Sequence, residues 1–151
     1  MVEFGSDDEI LQHAIDMEVE AYEFYVVLTS RVRNQRIGKV FEDLAKEELE
    51  HKAKLELEVM KRGKMVAVEQ KPTRSKGNYI LSDDQTPLDI DYKDILIMGM
   101  EKEEISFRTY VNWVAYVHEE ELREMLLALA EEEVKHKLRF ETEYDLLLKK
   151  S

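Results

Sequence analysis

Apolar residues recur at intervals of three and four over four long stretches of the chain, a spacing that predicts four amphipathic helices. The first runs from about residue 7 to 33, with Leu11, Ala14, Ile15, Glu18, Ala21, Tyr22, Tyr25 and Val32 on its inner face. Ahead of it, Ser6-Asp7-Asp8-Glu9 reads as a capping box that satisfies the unpaired N–H groups of a helix start. A break near Asn34 to Gly38 leads to the second helix, about 37–62, whose inner face is Phe41, Leu44, Glu48, His51, Leu55 and Val59. Its end at Arg62-Gly63 combines a basic last turn with a glycine stop. The third, about 90–117, shows Leu96, Met100, Glu103, Phe107, Tyr110, Val114 and Val117. After a tight break at His118-Glu119, the fourth, about 119–148, gives Leu122, Met125, Leu129, Glu133, His136, Phe140, Tyr144 and Leu147.

Between the second and third helices, residues 64–89 hold both prolines of the chain and show no sustained helical period. Within them, Met65 to Val68 can pair as a short strand. A connector of roughly 25 residues can run the length of a helix about 40 Å long. Two helical hairpins joined by a long crossover make an all-α four-helix bundle with the connection pattern of ferritin-like folds, rather than the up-and-down type with short loops throughout. Residues 1–151 are expected to form one such domain, since 151 residues at 44% hydrophobic composition suffice for a single sizeable core.

Charge narrows the partners. A net charge of −12 disfavours nucleic acid and anionic membrane surfaces, and a metal cation or an uncharged small molecule is easier to host. The absence of cysteine excludes disulfides, thiolate metal sites, iron–sulfur ligation and cysteine nucleophiles together. No apolar run approaches the roughly 20 residues of a membrane span, and the opening MVEFGSDDE has neither the basic nor the apolar region of a signal peptide. The expected location is the cytoplasm.

Shifting the sequence by 85 residues superposes the two hairpins without a gap: Glu18 meets Glu103, Tyr25 meets Tyr110, Leu44 meets Leu129, Glu48 meets Glu133 and His51 meets His136. Both halves read Glu-x29-Glu-x2-His. Each of these glutamates falls on the stripe that the 3.6-residue period buries, where a carboxylate is costly unless it is paired, hydrogen-bonded or bound to a metal. Glu and His three residues apart point the same way off a helix, so Glu48 with His51, and Glu133 with His136, each offer two donors to one centre. Four carboxylates carry −4 and two divalent cations +4. This is the donor set of di-iron and di-manganese carboxylate bundles, and mixed carboxylate and imidazole ligands without thiolate favour iron or manganese over structural zinc. A single Glu-x-x-His in a glutamate-rich helix is ordinarily a solvated face; two in matched register with two further inward glutamates are not. On the third helix the register selects Glu103, leaving Glu101 and Glu104 facing solvent, from where one could swing in as an extra ligand. His13 and His118 have no matching partners and read as surface or helix-end residues.

The segments MEVEAYEFY, AKEELEH, EEISFRTY and AEEEVKH resemble the rubrerythrin-like branch of the ferritin-like superfamily, over nearly the whole chain apart from the crossover. The resemblance implies two iron ions, with manganese as the other candidate, bridged by Glu48 and Glu133. Glu18 and Glu103 would then be terminal ligands, with His51 and His136 binding one metal each. It also implies that Tyr25 and Tyr110 are the inner tyrosines that hydrogen-bond the carboxylates. Two departures matter. Rubrerythrins proper carry a rubredoxin domain whose four cysteines hold an electron-delivering iron, so without cysteine the reductant must be a separate partner. Classical members also place an additional glutamate three residues after the terminal one of the third helix, where this chain has Ser106, equivalent to Ala21.

Three functions compete. The leading expectation is an oxidoreductase whose di-iron centre reacts with hydrogen peroxide or dioxygen, using a separate electron donor. The second is iron handling, by ferroxidase-type storage or detoxification. The third is a non-catalytic helical bundle that has lost its metal. A homodimer is the assembly considered for the catalytic readings, whereas storage requires a shell.

Overall fold

The computed structural model describes residues 6–63 and 91–150, and every regular element among them is an α-helix. They are α1 (Asp7–Arg31), α2 (Gln35–Lys61), α3 (Tyr92–Val114) and α4 (Glu120–Lys150). The expected crossover over 64–89, with the short strand at Met65 to Val68, lies outside the described residues. None of the helices is long and apolar enough to cross a membrane.

The helix ends depart from the periodicity by a few residues, for local reasons. α1 stops at Arg31 rather than 33, and α2 starts at Gln35 because the Asn34 side chain accepts the Ile37 N–H at 3.1 Å as an N-cap. Gly38, expected in the break, is therefore inside α2. Gly63, at φ 75°, does end α2 in the left-handed conformation that glycine adopts without a Cβ penalty, and its N–H donates to Met60 O. α3 begins at Tyr92, where Asp91 accepts the Lys93 N–H at 2.9 Å. It ends at Val114, so Val117, expected on its inner stripe, is buried in the following turn instead.

The chain divides into two compact units, one of Asp8–Leu88 and one of Met1–Asp7 with Asp89–Ser151. In the first, Ile10, Leu11, Ile15 and Leu28 of α1 and Ile37, Leu44 and Leu55 of α2 are all essentially inaccessible. Tyr25 stacks on Phe41 with ring centroids 5.9 Å apart and planes at 13°. Fully burying a side chain of this kind contributes about 1.5–3 kcal/mol.

In the second unit, Ile95, Leu96, Tyr110, Leu122, Leu126, Leu129 and Phe140 form the α3–α4 core. The Asp7 carboxylate accepts the backbone N–H groups of His118 and Glu119, both at 2.9 Å, and so places a negative charge at the start of α4, where the helix dipole favours it. Gly99 makes room for Phe140: a Cβ at residue 99 would stand 2.8 Å from one atom of that ring. The 85-residue offset pairs Gly99 with Ala14 and Phe140 with Leu55. One hairpin thus fills with a larger ring the space that the other fills with an extra methyl and a leucine.

This exchange predicts that Gly99→Ala destabilises the protein by about 1–3 kcal/mol through overpacking, and that adding Phe140→Leu recovers part of the loss. Urea denaturation of the two variants measures both numbers. An additive double variant would show that the two positions are uncoupled.

Candidate metal centre

On α1, Glu18 sits within the apolar stripe that packs the helix against α2, and its burial follows from the register of its neighbours. Only 1% of it is exposed. On α2, Glu48 and His51 occupy consecutive positions of the buried stripe and are 0% and 3% exposed. His51 Nδ1 lies 3.2 Å from Glu18 Oε1 and 3.6 Å from Glu48 Oε1. One donor atom from each of the three residues lies within 4.8 Å of the other two.

The α3–α4 unit repeats this arrangement. Glu103, Glu133 and His136 are 1%, 1% and 3% exposed, with His136 Nδ1 3.5 Å from Glu103 Oε1 and 3.6 Å from Glu133 Oε1. Their donor atoms also lie within 4.8 Å of one another. In both units it is the Nδ1 edge of the imidazole that faces the carboxylates.

The electrostatics of each cluster ask for a cation. Two carboxylates this close, in a region water does not reach, repel by on the order of 3 kcal/mol even at an effective dielectric near 20. The one imidazole offers a single Nδ1 edge to the two carboxylates. A divalent ion relieves that repulsion in a dry site, with donors that suit iron or manganese. The donor chemistry fits a metal.

Tyr25 and Tyr110 are both fully buried, seven residues beyond Glu18 and Glu103 on the same stripes. Tyr25 lies between Phe24 and Phe41, and Tyr110 meets Trp113 edge-on at 5.9 Å. Ser106 and Ala21, the positions of the absent extra ligand, are buried. Glu101 and Glu104 are in neither cluster. Glu101 is exposed, and Glu104 pairs with Arg108 and with Lys137, cations that hold its carboxyl below the usual range, the Arg108 hydrogen bond contributing most. His13 and His118 are exposed.

One buried acid pair escaped the sequence reading. Glu58 and Glu143 are 4% and 7% exposed, and the same 85-residue offset relates them. Each lies seven residues after a cluster histidine, so extending the repeat past His51 and His136 would have found them. Glu58 has an ion-pair partner in Arg62, whose Nε is 3.5 Å away and whose Nη1 reaches Asp8 at 3.4 Å. That pairing links the ends of α1 and α2 and separates Glu58 in kind from the cluster glutamates.

Residues 9–144 match the family model described as Rubrerythrin. A solved structure, a hypothetical protein from Pyrococcus furiosus, is similar at 28% identity and a TM-score of 0.73, covering 96% of this chain and 92% of its own. No curated protein matches the chain.

Like-charge crowding makes a prediction opposite to that for an ordinary buried hydrogen bond. Glu18→Gln keeps an acceptor beside His51 while removing one charge. In metal-free protein it should leave stability unchanged or raise it by about 1 kcal/mol, and it should abolish any stabilisation by added metal. A loss of more than about 2 kcal/mol in the metal-free variant, read by thermal denaturation in chelator, would contradict this account.

Proposed function

The chain belongs to the rubrerythrin family, a family of ferritin-like four-helix bundles, and on that footing we propose that it is a di-iron carboxylate oxidoreductase reacting with hydrogen peroxide or dioxygen. Manganese is the alternative metal. The observation that carries the proposal is the duplication of one buried donor set, two carboxylates and one imidazole, on two hairpins of the same chain. We take the two clusters as halves of a single centre, with four carboxylates set against two divalent ions.

In this reading Glu18, Glu48, His51, Glu103, Glu133 and His136 would hold the metals, the carboxylates and imidazoles serving as their ligands. The ions supply one-electron redox chemistry and Lewis acidity when bound. The chain supplies everything else. Both imidazoles bind as neutral rings and all four carboxylates as anions, so loading displaces any proton these groups carry. Burial at 3% exposure or less limits the water that competes for the ions. Tyr25 and Tyr110 orient the carboxylates by donating hydrogen bonds, which also keeps the phenol groups satisfied in the core.

The 151 residues contain no cysteine, so electrons for turnover come from a redox group outside them. Ser106 and Ala21 offer no carboxylate at the place of the extra family ligand, so the ions have one fewer ligand to move towards between oxidation states.

Anaerobic titration with ferrous ion tests the proposal. Two irons should bind per chain and raise the melting temperature, since saturation at 100 times Kd is worth about 2.7 kcal/mol. Peroxide or dioxygen should then oxidise both irons to ferric, with ferrous protein regenerated by an added reductant over repeated cycles. Binding of less than one equivalent, or two bound irons inert to both oxidants, would overturn it. Oxidation that leaves a growing ferric mineral in a shell-like assembly would point to storage.

A further inference from the structure

The two halves of the repeat keep the same inner tyrosine and surround it differently. Tyr25 packs against Phe24 and Phe41, which are 4% and 0% exposed. Tyr110, its counterpart 85 residues on, meets Trp113 edge-on at 5.9 Å and 75°. Trp113 is the chain's one tryptophan and stands where the first half has Leu28, a fully buried aliphatic residue. Unlike Leu28 it is only half-buried, so its ring joins the fully buried Tyr110 to the surface. Packing alone does not ask for an indole, since an aliphatic side chain serves the same register in the other half.

What the indole adds is chemistry. In a chain without cysteine, phenol and indole are the side chains that give up one electron most readily, whereas the rings of phenylalanine and the side chain of leucine hold theirs. Tyr110 lies on the same buried stripe as Glu103, at a rise of about 10 Å along α3. Helical side chains lean toward the N-terminus of their helix, so the phenol reaches back toward Glu103 and shortens that span. From the donor set outward the order is carboxylate, phenol, indole and solvent, all on one helix. Beside Tyr25 the rings are phenylalanines, and Leu28 stands in the place of the indole.

We propose that Tyr110 and Trp113 form a one-electron relay between the metal centre and the surface of the α3–α4 half. The proposal rests on the di-iron reading. Reduction of hydrogen peroxide to two water molecules takes two electrons and two protons. Where only one of those electrons is available from iron, Tyr110 supplies the other, and its phenolic proton passes to the acceptor of its hydrogen bond. Trp113 then gives an electron to the Tyr110 phenoxyl, which takes back the proton. The electron deficit comes to rest on a half-buried indole rather than in the core. There a thiol in solution refills it, losing one electron and one proton, and the thiyl radicals pair as disulfide.

Because Trp113 is the one tryptophan, azide radicals generated by pulse radiolysis start the transfer at a defined ring in metal-free protein. The indolyl absorption should decay as phenoxyl absorption rises, at a rate independent of protein concentration. Tyr110→Phe should lose that phase. Tyr116→Phe, which removes the phenol three residues beyond the indole, should keep it. Far-UV circular dichroism checks each fold. In iron-loaded protein oxidised by half, peroxide without thiol should leave oxidised Trp113 in peptide mass spectra. Trp113→Phe, which keeps an aromatic ring in place, should instead leave a longer-lived tyrosyl signal in electron paramagnetic resonance, and Tyr110→Phe should leave the indole intact. A parent whose indolyl radical decays only by collision between molecules, or a phase that survives Tyr110→Phe, would overturn the relay. Metal-free transfer without Trp113 oxidation, in protein that binds and oxidises iron, would overturn its role at the centre. Protein that binds no iron would overturn the di-iron reading and with it the relay's function, while the metal-free transfer would still be seen and so tells the two failures apart.

Discussion

Placing two carboxylates and one imidazole in the dry interior of each hairpin is the constraint to which the rest of this structure answers. Without a cation, Glu18 beside Glu48 and Glu103 beside Glu133 are like charges held close with little solvent to screen them. Helices can impose such an arrangement because a residue's direction is fixed by the register of its apolar neighbours. Leu11, Ile15, Leu44 and Leu55 decide which way the first cluster points, and Ile95, Leu96, Leu129 and Phe140 decide it for the second. The stability gained by burying these neighbours offsets the cost of the acids and leaves a site preorganised for metal.

The two hairpins separate what the site requires from what it does not. Glutamates, histidines and inner tyrosines are matched across the 85-residue repeat, whereas packing away from them diverges. Ala14 with Leu55 and Gly99 with Phe140 are two solutions of one volume problem. The outer faces diverge further, with acids along α1 and isoleucines along α3.

Much of this was legible beforehand because helical structure writes itself locally. Spacings of three and four put Glu18, Glu48, Glu103 and Glu133 on the inner stripe, and their mutual register came from the repeat. Features set by contacts distant in sequence were not legible. Nothing around Asp7 announces that its carboxylate serves the turn at His118 and Glu119, because that partnership exists only once the chain has folded. The break near Asn34 to Gly38 does not reveal that Asn34 is the cap that starts α2, two residues ahead of the expected start at 37. Glu58 and Glu143 carry a readable signal, the same repeat, but no motif draws attention to a lone buried acid.

The central claim is that the two buried clusters hold two metal ions. Anomalous diffraction from crystals of the metal-loaded protein locates those ions directly. Two peaks should appear, one beside His51 and one beside His136. A single peak, peaks confined to surface carboxylates, or a fully loaded crystal with no density at either histidine would contradict the account.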